Sequence, residues 1–143
     1  MTSAQQAAYE VVYEKLRSGS PLWGTRVQPL ETAGTDLVRP YVVFFQATGG
    51  RDLVTNSKKN ATITLNIKGV AEDVATALQI QDALSALLDD SGRQDVSANL
   101  PVHPAWDVLT VTQATAIWVQ EQFGGKNIYH AGHQYVLKME RKP

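Results

Sequence analysis

The sequence predicts an α+β fold: a mixed, mainly antiparallel sheet of about four to five strands with two helices packed on one face. Three observations lead there. Ala61, Ile63, Leu65 and Ile67 alternate with Thr62, Thr64, Asn66 and Lys68, and period-two alternation gives a strand with one buried and one polar face. Two stretches, 3–17 and 72–88, repeat apolar residues at helical spacing. The order along the chain is α, a short strand, β, β, α, β, β, in which the two central strands can pair antiparallel and so can the last two.

The first helix is expected over 3–17. Ser3 is its N-cap, and Gln6 three residues on suggests a capping box. Ala4, Ala8, Val11, Val12 and Leu16 form its apolar stripe. Gly19 is expected as a left-handed cap, with Pro21 as the breaker beyond it. A short extended piece follows near Thr25 to Pro29. Pro40 holds Arg39 extended, and Tyr41-Val42-Val43-Phe44-Phe45-Gln46 reads as a buried strand.

Residues 49–60 are polar and turn-rich, which suits an exposed connection. The alternating strand then runs to Gly69, where it is expected to end. The second helix buries Val74, Ala77, Ile80, Ala83, Leu84, Leu87 and Leu88. Glu72 and Asp73 stand in its first turn, where the helix dipole favours negative charge. Leu100 to Pro104 is a loop with two prolines. A long or bulged strand is expected over 108–122, a hairpin turn at Phe123-Gly124-Gly125-Lys126-Asn127, and a last strand over 128–141 with Tyr135, Leu137 and Met139 on one face.

Composition narrows the function. The 143 residues, read as a single domain over 1–143, are about one domain's worth, and 43% hydrophobic against 19% charged residues is ordinary globular usage. The absence of cysteine excludes a disulfide scaffold, thiolate metal ligands and a cysteine nucleophile. A net charge of −1 argues against holding a nucleic-acid backbone, which usually takes a strong basic excess. No apolar run approaches the roughly 20 residues that span a bilayer. The first ten residues are polar and rich in Gln and Ala, unlike a signal peptide, so synthesis in the cytoplasm and no membrane partner are expected.

Candidate chemistry is sparse. His130 and His133 lie three apart on a strand, where side chains alternate, so they point to opposite faces and read as exposed strand histidines. His103 and Asp107 complete a four-ligand set only on paper, because a metal site needs geometry as well as count. Asp89, Asp90 and Asp95 follow a helix and read as solvated. Gly49-Gly50-Arg51 is ordinary turn chemistry. No nucleophile elbow, P-loop lysine or dinucleotide glycine pattern occurs. No catalytic, metal-binding or cofactor-binding residue is therefore assigned, no cofactor is expected, and the chain reads as a non-enzyme.

Contact surface is better represented. Arg51, Lys58 and Lys59 form a small basic loop. Trp23, Trp106 and Trp118 suit core or interface anchors more than a base-stacking platform, which normally comes with a basic groove. The inferred loops at 31–39, 49–60, 93–107 and 123–127 are long for a domain of this size, and long loops on a rigid sheet commonly carry binding function.

Several segments in this order resemble a known family. They are the N-terminal helix, Gly24-Thr25-Arg26-Val27-Gln28-Pro29, the strand Arg39-Pro40-Tyr41-Val42-Val43-Phe44, the strand Ala61-Thr62-Ile63-Thr64-Leu65-Asn66-Ile67-Lys68-Gly69, the helix opening Ala71-Glu72-Asp73-Val74, and a final strand pair. Together, over nearly the full length, they are similar to the tail terminator (tail completion, tail-to-head joining) proteins of long-tailed bacteriophages, the lambda-type terminators.

The resemblance implies a structural virion protein, assembled in the host cytoplasm and located at the head–tail interface. It implies a homo-hexameric ring that caps the tail tube protein, ends tube polymerisation and offers a surface to a head connector or head-completion protein, with DNA only as passing cargo. It carries no catalytic residue and no cofactor. On this reading Arg51, Asp52, Lys58 and Lys59 in the 49–60 loop, and Lys126 and Asn127 at the last turn, are the candidate assembly contacts. The 89–107 stretch is longer and richer in proline than the family pattern. Another connector or head-completion protein, or the same part in a tail-like particle, shares the composition; a small metal-dependent enzyme is the remote alternative.

Overall fold

The computed structural model describes residues 3–17, 19–29, 38–47, 60–88 and 100–143. The elements are α1 (Ala4–Leu16), β1 (Val27–Gln28), β2 (Tyr41–Gln46), β3 (Asn60–Ala71), α2 (Val74–Leu88), β4 (Trp106–Phe123) and β5 (Lys126–Arg141). They form the expected α+β architecture. The five strands make one open sheet in the order β1-β2-β3-β5-β4. Among the described residues β1 and β2 pair in parallel, and every other neighbouring pair is antiparallel.

Alternation in β3 sets the layers. Ala61, Ile63, Leu65 and Ile67 face one side and join Val11, Val12 and Leu16 of α1, Ile80, Leu84 and Leu88 of α2, and Tyr135, Leu137 and Met139 of β5 in the main core. Both helices therefore lie on the same face, as their two apolar stripes require. Burying each of these larger side chains contributes about 1.5–3 kcal/mol. Trp23 is enclosed within this core and donates its indole N–H to the Leu16 carbonyl at 2.6 Å, which fixes how the chain leaves α1. A smaller cluster of Tyr41, Val43, Val70 and Ile128 sits on the opposite face of the sheet.

Local expectations hold in part. Ser3 caps α1 by accepting from the Gln6 backbone N–H at 3.1 Å. The reciprocal half of the capping box is not made; the Gln6 side chain is turned forward, its Nε2 donating to Glu10 at 3.1 Å. Gly19 is not left-handed; the positive-φ glycines among the described residues are Gly24, Gly124 and Gly125. Its small size serves packing, since a Cβ there would press on Leu87 and the Lys15 carbonyl. The Arg39–Pro40 peptide bond is cis.

Gly69 does not end β3, which runs on to Ala71. It is the point where Ile80 of α2 rests against the strand, and a Cβ at Gly69 would occupy the space of the Ile80 side chain. The glycine thus marks a helix–sheet approach rather than a strand terminus. Helix α2 starts later than expected. Asp73 accepts from the Thr76 backbone N–H at 2.7 Å and acts as its cap, Glu72 lies outside the first turn, and Val74 is exposed rather than part of the stripe.

The 123–127 connection is not a long loop. Phe123 pairs with Lys126, leaving Gly124-Gly125 as a two-residue turn with φ of 61° and 79°. Two successive positive φ values belong to the turn type that matches strand twist, and glycine meets them without strain. The pairing of β3 with β5, which leaves β4 as the outermost strand, was not evident from the chain order.

Candidate functional site

The β4–β5 hairpin runs from a buried end to an end with exposed apolar side chains. Near Trp106 the hairpin is core: Trp106, Val111, Leu137 and Met139 are buried, and Arg141 stacks over Trp106 with its guanidinium 5.0 Å from the ring centroid. The register shifts between Val108 and Thr110 and again between Gln113 and Ala116. These bulges bend an otherwise regular ladder.

Beyond the second shift the strands pair without interruption from Ala116 opposite His133 to Phe123 opposite Lys126. Along this outer part Trp118, Val119 and Phe123 are 48%, 44% and 46% exposed. Trp118 stacks on Tyr129 with centroids 5.8 Å apart. Trp118 and Val119, adjacent on a strand, present apolar surface on opposite faces.

The histidines are placed differently from the exposed positions expected of them. His130 is 3% exposed, and its Nε2 lies 2.7 Å from Glu121 Oε1 across the hairpin. His133 faces the helices, with its Nε2 3.3 Å from the Gln113 amide, and its ring meets Tyr135 edge-on. The opposite-face expectation for this pair holds. The burial of His130 follows from β5 lying between two strands, which sequence spacing alone does not reveal.

His103 is also buried. Its Nδ1 accepts from the Ala105 backbone N–H at 3.0 Å, so the proton sits on Nε2 and is donated to Glu10 at 2.6 Å. This bond ties the 100–105 segment to α1 and holds the Glu10 carboxyl below its ordinary range. Asp107 lies 3.7 Å from Lys142 and not beside His103. Among the described residues no group of three or more His, Asp or Glu side chains is gathered as a metal site would need.

Under the hairpin, Gln113 at the second bulge holds a polar cluster. Ser85 of α2 hydrogen-bonds its side-chain oxygen, Tyr135 donates to the same oxygen at 3.5 Å, and Gln81 donates to the Gly132 carbonyl at 3.2 Å. These bonds fix the position of α2 on the sheet. Their members satisfy one another, which is a structural arrangement and not an acid–base relay.

Of the six residues singled out as assembly contacts, Arg51, Asp52, Lys58 and Lys59 lie outside the described residues. So do Asp89, Asp90, Asp95 and the Gly49-Gly50-Arg51 segment. Lys126 and Asn127 are exposed at the hairpin turn. Asn127 accepts from the Gln122 amide at 3.3 Å. Lys126 reaches to 3.4 Å from Glu72, which also binds Arg39 at 3.1 Å. The hydrogen bonds from Arg39 and then Lys126 hold the Glu72 carboxyl below its usual range. The hairpin turn, the start of α2 and the segment before β2 therefore meet at one end of the sheet. Of the tryptophans, Trp23 and Trp106 are core, and Trp118 is the exposed one.

No family model matches the chain. No curated protein sequence matches it either. Among solved structures, a chain in the virion of a native gene transfer agent particle is similar to it, with a TM-score of 0.65 over 97% of this chain and 99% of that one at 19% identity. At that identity the likeness is one of fold.

Proposed function

We propose that this chain is a structural virion protein of a phage-like particle, and within that class the ring subunit that caps a tail tube, ends its polymerisation and presents a joining surface to the head. The observation that carries the reading is the nearly end-to-end fold likeness to a chain of a gene transfer agent virion. The tail-terminator-like order of segments in the sequence supports the finer assignment. The whole of 1–143 acts as one unit, and homo-hexamers, the tail tube protein and a head connector are its partners. A closing ring needs a heterologous interface repeated around an axis. Lys126 and Asn127 stand at an accessible end of the sheet and are contacts in that interface or to the tube; Arg51, Asp52, Lys58 and Lys59 are assigned the same role from sequence alone.

The test is genetic and structural. Particles made without the protein carry overlong or headless tails, and the purified protein added to tube protein gives six-fold rings in electron micrographs. Normal particles from the deletion, together with no ring on the tube, overturn the reading.

A further inference from the structure

The two edges of the sheet are finished in different ways. On the β1 side the edge strand is two residues long and is followed by Pro29. The adjoining end of β2 is closed by Tyr9, whose hydroxyl accepts from the Gln46 backbone N–H at 2.8 Å. Short strands, prolines and covering groups are the ordinary means by which an edge is kept from pairing.

Among the described residues the β4 side lacks most of them. The strand is 18 residues long with no proline, no lysine and no arginine. Its two register shifts lie at mid-strand and before it, so residues 116–123 form an unbroken outer ladder with apolar side chains exposed on both faces. A long, regular, apolar edge is a template for another strand.

We propose that residues 116–123 form the surface through which two copies of this chain pair in solution, β4 edge to β4 edge, antiparallel about a two-fold axis perpendicular to the sheet. The charge on the segment selects this occupant. Glu121 is its sole charged residue and is drawn back across the hairpin to His130. Two such edges therefore meet without like-charge conflict, and a strongly acidic or basic partner finds no counter-charges along them. The perpendicular axis keeps like faces together, so Trp118 of each copy extends the same apolar face and Val119 the other. Such pairing uses up the open edge of both copies and closes at two. It does not rest on the tail-capping role.

The chain has no cysteine, so single cysteines placed at positions 117 to 121 in turn report the axis directly. Analytical ultracentrifugation of the full chain is expected to show a concentration-dependent dimer. Val119→Lys is expected to weaken it roughly tenfold or more by setting an ammonium group from each copy into the apolar seam, with thermal unfolding and circular dichroism unchanged. Under mild oxidation the single position on the dyad forms an interchain disulfide and the other four do not, because each of them lies opposite a different residue of the second copy, beyond the reach of a disulfide. A protein monomeric at every concentration overturns the proposal, as does a dimer indifferent to Val119→Lys, or an assembly in which none of the five cysteines cross-links.

Discussion

Within the one β4–β5 hairpin, the half near Trp106 and Arg141 and the half near the Gly124-Gly125 turn share strands, sheet and hydrogen-bonding pattern. The first half lies beneath the helices: Val111, Tyr135, Leu137 and Met139 belong to the same core as Leu16, Leu84 and Leu88. The second half carries Trp118, Val119 and Phe123 in the open, although these side chains are at least as apolar. Apolar residues in the covered half stabilise the fold. In the uncovered half they contribute little to it and are available to something outside the molecule.

The sharpest way to break this contrast is to truncate both halves and compare. Leu84→Ala, at the centre of the covered region, is expected to cost about 2–5 kcal/mol in urea unfolding, since the site is fully enclosed and cannot collapse onto the lost atoms. Gly69→Ala should cost about 1–3 kcal/mol, because the new methyl group displaces Ile80. Pairing it with Ile80→Val should recover part of that loss, and simple additivity of the two substitutions would show that the close approach is not the cause.

A smaller effect is expected from acid. Glu10, Glu72 and Asp73 all have carboxyls lowered from their ordinary values: Glu10 chiefly by His103, Glu72 by Arg39, and Asp73 by the Thr76 backbone N–H. A group lowered in the folded state contributes stability that is present above its unfolded pKa and lost as pH falls through the folded one. Urea midpoints should therefore hold near neutrality and decline below about pH 4.5, and Asp73→Asn with Glu72→Gln should flatten that decline. The smallest change belongs to Trp118→Ala. It should leave monomer stability within about 0.5 kcal/mol while weakening self-association. A loss comparable to that of Leu84→Ala would erase the distinction between the two halves.

Elements governed by local pattern were legible in the sequence. The Ser3 cap, the β2 and β3 strands, the apolar stripe of α2 from Ala77 onward and the glycine turn all follow from spacing and backbone preference, and each is present. Features decided by distant partners were not. Gly69 resembles a strand terminus until Ile80 is known to rest on it, and His130 resembles a surface residue until β5 is known to lie between β3 and β4. The exposed surface of the hairpin was only partly visible for the same reason. Lys126 and Asn127 stand exposed at a turn, as expected, because turns advertise themselves, whereas the exposure of Trp118 depends on what packs against its strand. A tryptophan on an edge strand free of basic residues was the available signal.

The position of β3 also bears on how the chain reaches its fold. It is held between β2 and β5, and its pairing with β5 joins residues as far apart as Asn60 and Glu140. The β4–β5 hairpin, closed by two residues, can form early and by itself, on the order of microseconds. The β3–β5 seam must close a loop of many tens of residues before it gains anything, which belongs to the slower, high-contact-order regime of milliseconds to seconds. Until that seam closes, β3 offers the alternating face of Ile63, Leu65 and Ile67 to solvent, and the passage to the native state is the interval in which the chain is most open to misassociation.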